Sequence, residues 1–157
     1  MQALGAALDD GDRRIDLVVL THPHADHWMA SAQLKERTGA PNVCAASVLT
    51  TVVSTPREGF AMLDGGSKTL SSDRIPGQEP PLYGRIVEAP AARIYKLNEE
   101  HAHVDFREAG ERPHIGDRLR VIPNHVCVCV NLHEKMYGIR GDRVEHVWDV
   151  RGRGKLQ

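Results

Sequence analysis

From residue 48 onward the chain runs through short apolar stretches, rich in β-branched residues and punctuated by glycine, proline, aspartate and asparagine, with no sustained helical period. That texture leaves few folds open. A strand presents backbone donors and acceptors that neighbouring strands must satisfy, so many short strands close together imply an antiparallel sheet. Strands are expected at residues 48–54, 60–63, 85–88, 93–97, 103–106, 118–122 and 126–130. Pro76, Gly77, Pro80 and Pro81 mark a loop among them. A last pair, 136–139 and 143–150, is joined by Arg140-Gly141-Asp142 and reads as a hairpin.

The first 46 residues read differently. Residues 2–8 suit a short helix, stopped by Asp9-Asp10-Gly11-Asp12. Residues 15–20 suit a buried strand. Residues 27–38 suit a helix carrying Met29, Ala32 and Leu34, with Lys35 and Arg37 near its end, Gly39 as its stop and Pro41 beyond. A further strand is expected at 43–46, which makes the opening a βαβ-like unit. The expected class is α+β: a mainly antiparallel β-domain at residues 47–157, preceded by the short βαβ-like unit at 1–46.

Composition narrows the function classes. The net charge is -1, which gives no electrostatic reason to bind nucleic acid or an anionic membrane. Aromatic content is 4%, too little for a platform on which bases stack. No apolar run approaches the roughly 18 residues that span a bilayer. Residues 1–10 contain no basic residue and do not resemble a signal peptide. The three cysteines, Cys44, Cys127 and Cys129, suit a reducing cytoplasm better than a disulfide framework.

Between the expected strand and helix lies Thr21-His22-Pro23-His24-Ala25-Asp26-His27-Trp28. Three imidazoles and a carboxylate at this density suit zinc. Alternate residues of a loop leaving a strand can face one ion, and two neighbouring ions can polarise a scissile bond. The segment resembles the metallo-β-lactamase superfamily motif. The resemblance implies that His22 and His24 ligate a first metal, and Asp26 and His27 a second. It also implies later ligands, for which His101, His103 or His114 could be imagined, and an αββα sandwich.

A second pair is His125 and Cys127. Two apart on a strand, they would share a face, and imidazole with thiolate suits zinc. Cys129 would share that face as a small buried hydrophobe. The wider context is Val48-Leu49-Thr50-Thr51-Val52-Val53-Ser54, Leu63-Asp64-Gly65-Gly66-Ser67-Lys68, Ser71-Ser72-Asp73, Leu97-Asn98-Glu99-Glu100-His101, Gly116-Asp117, Pro123-Asn124-His125-Val126-Cys127 and the closing residues 147–154. In that order these stretches resemble the C-terminal domain of the D-serine dehydratase and D-threonine aldolase family. That family shares the design of alanine racemase: an N-terminal barrel and a C-terminal β-domain.

The resemblance implies that His125 and Cys127 hold a divalent metal, zinc in the dehydratase branch, beside pyridoxal phosphate. There the metal acts as a Lewis acid on the substrate hydroxyl. Glu99, Glu100, His101, Asp64 and Lys68 either line the active-site mouth or brace strand ends. The family's barrel carries the Schiff-base lysine and the cofactor's phosphate site, and residues before 44 do not match it. The expectation is therefore a zinc-binding lyase domain, inactive alone, joined near residues 43–47 to a partial hydrolase-like unit. Pyridoxal phosphate would come only with a barrel-bearing partner subunit, with self-association as the other expected contact. A metallohydrolase and a non-catalytic zinc module are the alternatives.

Overall fold

The computed structural model describes residues 18–20, 36, 39, 42–75, 77, 79–80, 82–110 and 112–155. The chain divides into two compact units, Met1–Ala46 and Ser47–Gln157. In the first, β1 (Val18–Leu20) and β2 (Asn42–Cys44) pair in parallel, with Val18 opposite Asn42 and Leu20 opposite Cys44. A parallel pair needs a crossover connection, as a βαβ unit supplies. The helix expected at 27–38, apart from the helical Glu36, and the one expected at 2–8 lie outside the described residues.

The second unit is built on a six-stranded antiparallel sheet in the order β5-β8-β3-β4-β7-β6. Its strands are β3 (Val48–Arg57), β4 (Phe60–Leu63), β5 (Arg85–Ile86), β6 (Arg93–Leu97), β7 (Ala102–Asp105) and β8 (Arg118–Ile122). Alternation decides which side of each strand is buried. Val52, Leu63, Ile86, Ile94, Ala102, Val104 and Val121 face inward at 0% exposure. Thr50 is buried with them, and its hydroxyl donates to the Leu119 carbonyl at 2.9 Å, so that hydroxyl is satisfied. The sheet curls until its edges nearly meet: the Tyr83 N–H, just before β5, donates to the Ile94 carbonyl of β6 at 3.0 Å. The α+β expectation, dominated by antiparallel strands, describes this unit.

Two helices interrupt the sheet. The four-residue α1 (Ser67–Leu70) follows β4, and the seven-residue α2 (Val126–Leu132) follows β8. The strand expected at 126–130 is therefore corrected to a helix. Alternating valine and cysteine suits a strand, but the same residues also carry a helical stripe of Val126, Cys129, Val130 and His133. Tertiary contact selects the helix. Cys129 is 4% exposed, and its Sγ and the His133 Nε2 both reach the Thr69 carbonyl of α1, at 3.2 and 3.0 Å.

After α2 comes a separate two-stranded ribbon, β9 (Lys135–Arg140) and β10 (Arg143–Asp149). The expected hairpin is present, with Arg143 opposite Arg140. Every residue of β10 is exposed. A Cβ on Gly138 would meet the Trp148 ring at 2.6 Å, so the indole lies across the glycine, with His146 stacked on it at 5.4 Å. Among the described residues no helix is long and apolar enough to cross a membrane.

Candidate functional site

Strand register gathers the candidate residues of the β-domain at one rim. Leu63 at the end of β4 sits opposite Ala102 at the start of β7, and Ala102 sits opposite Leu97 at the end of β6. Val121, near the end of β8, sits opposite Val48 at the start of β3. The segments leaving these positions carry Asp64 and Lys68, Glu99, Glu100 and His101, and His125 and Cys127. Three stretches far apart in sequence thus meet at one end of the curled sheet.

The first contact there is between α1 and the turn before β7. The Ser67 and Lys68 N–H groups donate to the Asn98 and Glu99 carbonyls at 2.8 and 3.1 Å. Gly66 makes this approach possible, because a Cβ on it would lie 2.4 Å from both the Asn98 and Glu99 carbonyl oxygens. Lys68 Nζ then reaches Glu99 at 2.9 Å and Glu100 at 2.8 Å. Hydrogen bonds donated to Glu100 and Glu99 hold the Lys68 ammonium well above its usual pKa, and the Glu99 carboxyl is lowered by the same lysine. A Schiff-base lysine needs the opposite shift. Lys68 is therefore an ion-pairing residue, and the described residues offer no fit for covalent attachment of pyridoxal phosphate at it. Asp64 braces the rim: its Oδ1 accepts from the Thr51 N–H at 2.7 Å.

The second contact is around His125, the residue that caps α2 at its N-terminus. Its Nδ1 lies 2.5 Å from Asp73 Oδ2. The adjacent Asn124 donates from Nδ2 to the carbonyls of Asp73 and Leu82, at 2.9 and 2.7 Å. Cys127 is exposed and Cys129 buried. The expectation that His125, Cys127 and Cys129 share a strand face is corrected: His125 caps α2 and both thiols lie within it, where residues two apart point about 200° apart, so Cys127 faces solvent and Cys129 faces α1. Burial pushes the Cys129 thiol up to about 11, which makes it a poor ligand at neutral pH. Imidazole and an exposed thiol are donors that zinc accepts, so the chemistry at His125 and Cys127 fits a divalent ion. Among the described residues no cluster of three or more such donors occurs, so coordination would be completed by water, substrate or another chain.

Lys68 also stands on the lip of a cleft of about 650 Å³, which Asn131, Glu134 and Arg153 line. His103, on the outer side of β7, packs against Tyr95. Burial, then Lys96 and His101, lower its pKa. His22, His24, Asp26 and His27 lie outside the described residues. Sequence reading passed over Asp73 and Asn124 as functional partners. The signal was present in the Ser71-Ser72-Asp73 and Pro123-Asn124-His125 stretches, but 52 residues separate Asp73 from His125.

The family described as "Putative serine dehydratase domain" matches residues 45–139. The chain belongs to that family. An uncharacterized protein of Mycobacterium bovis is 41% identical over 120 residues, covering 74% of this chain and 89% of the relative. The D-threonine aldolase of an Arthrobacter species is 32% identical over 107 residues, covering 68% of this chain but 26% of the aldolase. Among solved structures, the D-threonine aldolase of Filomicrobium marinum superposes with a TM-score of 0.62 at 26% identity, over 71% of this chain and 29% of that one. An alanine-racemase-like protein of Idiomarina loihiensis gives a TM-score of 0.52 at 25% identity, over 58% and 27%. The chain thus spans most of the mycobacterial relative and about a quarter of the aldolases. The family match starts at residue 45, so residues 22–27 lie outside it.

Proposed function

We propose that the β-domain is the metal-binding, rim-forming part of a D-amino-acid lyase of the D-serine dehydratase type, and that it acts only when a barrel-bearing subunit supplies pyridoxal phosphate. The observation that carries this reading is the single rim that collects Asp64, Lys68, Glu99, Glu100, His101, His125 and Cys127. His125 and Cys127 would hold zinc, whose chemistry when bound is to polarise a substrate hydroxyl as a leaving group. Lys68, with Glu99 and Glu100, orients the mouth of the site and offers charge to a zwitterionic amino acid. The 89% coverage of the mycobacterial relative supports a β-domain of this kind outside a barrel enzyme. A reducing cytoplasm suits the thiol ligand.

The rival reading is a metallohydrolase on His22, His24, Asp26 and His27, in keeping with the metallo-β-lactamase resemblance and with a join near residues 43–47. The parallel β1–β2 pair is what favours it. Zinc content of the wild type, His22→Ala and His125→Ala variants separates the two. Loss of zinc in His125→Ala alone supports the lyase-type site. Loss in His22→Ala alone overturns it. Titration with pyridoxal phosphate should leave the cofactor's absorbance unchanged, and a new lysine-linked band would refute the need for a partner.

A further inference from the structure

Ser71 ends α1 with φ 68° and ψ 169°, in a region that residues with a side chain avoid, and it is 5% exposed. Such an outlier persists only where its surroundings over-determine it. Its hydroxyl accepts from the Asp73 N–H at 3.3 Å. Asn124, 9% exposed, fixes the Asp73 carbonyl at 2.9 Å. Both ends of the Asp73 backbone are thereby held, and its carboxylate meets the ring beside Asn124, with Oδ2 2.5 Å from His125 Nδ1. Solvation does not require this brace. The Asp73 and His125 side chains are 43% and 26% exposed, so water already reaches both. What the brace adds is direction.

An ionised carboxylate only accepts, so the ring nitrogen facing it carries the proton, and in the neutral imidazole the lone pair then sits on the other nitrogen. We propose that Asp73 is a positioning residue that fixes His125 in the Nδ1–H tautomer, making Nε2 its metal-coordinating nitrogen, with Ser71 and Asn124 holding Asp73 in place. A carboxylate behind a ligating histidine sets ring orientation and raises ligand basicity. The inference deepens the metal reading of His125 and Cys127, and rests on it for what Nε2 holds.

Long-range ¹⁵N–¹H correlation on the full metal-free chain tests the tautomer directly. His125 is expected as Nδ1–H in the wild type and in Asp73→Asn, whose amide oxygen still accepts. It is expected to shift toward Nε2–H in Asp73→Ala. Zinc affinity, read against a competing chromophoric chelator, should fall about 10–100-fold in Asp73→Ala and less in Asp73→Asn. A wild-type ring in the Nε2–H form overturns the proposal without any variant. Equal zinc affinity in wild type and a folded Asp73→Ala overturns it too. A wild type with the expected tautomer that takes up no zinc refutes the metal reading and supports the brace.

Discussion

The wall of the curled sheet and the β9–β10 ribbon use the same alternating vocabulary of β-branched and aromatic residues, yet different forces hold them. In the wall, Val52, Leu63, Ile94, Val104 and Val121 are withdrawn from water completely. Burial of that kind contributes roughly 25 cal/mol per Å² of apolar surface. In the ribbon, Tyr137, Ile139, Val144 and Val147 remain 53–66% exposed. Local pairings hold it instead: Trp148 across Gly138, and Arg140 against Glu145 at 3.0 Å. Alternation thus specifies a strand. It does not specify what, if anything, covers the apolar side.

The contrast can be broken first in the wall. Leu63→Ala should cost about 2–5 kcal/mol in urea unfolding. A loss below about 1 kcal/mol would mean the wall does not carry the domain's stability. Next comes the sheet's outer surface. Hydrogen bonds from Arg107 hold the Asp105 carboxyl down at about 2, against the usual 3.8. Because the folded value lies below the unfolded one, this contribution is present above the usual carboxylate range and drains away as pH falls toward 2. Arg107 is largely solvent-exposed, so solvent screens the pair and the effect is small, and Arg107→Ala should flatten the acid limb of the stability curve. In the ribbon, Trp148→Ala should cost about 0.2–1 kcal/mol, the scale of one cross-strand pair. Ile139→Ala should stay within about 0.5 kcal/mol. A large loss there would show that something covers the hairpin in solution.

The wall was legible because period-2 burial writes itself directly into sequence. Expected strands at 60–63, 93–97 and 118–122 match β4, β6 and β8 residue for residue. The helices were not legible in the same way. A four-residue α1 is too short to show a period, and α2 is spelled in valine and cysteine, which favour strands until Cys129 docks on Thr69. At the rim, residue types such as His125, Lys68 and Glu99 stood out. Their partners did not, because Asp73 and Asn124 act through a contact that chain folding alone creates.

Gly66 turns the rim into a measured gap. With backbone seated against backbone there, any larger residue would wedge α1 away from the turn and carry Lys68 out of reach of Glu99 and Glu100. The glycine therefore serves as a gauge block between two loops. A related chain that keeps Gly-Gly-Ser-Lys but lacks an acidic turn of matching length would have the spacing without the charge it was set for.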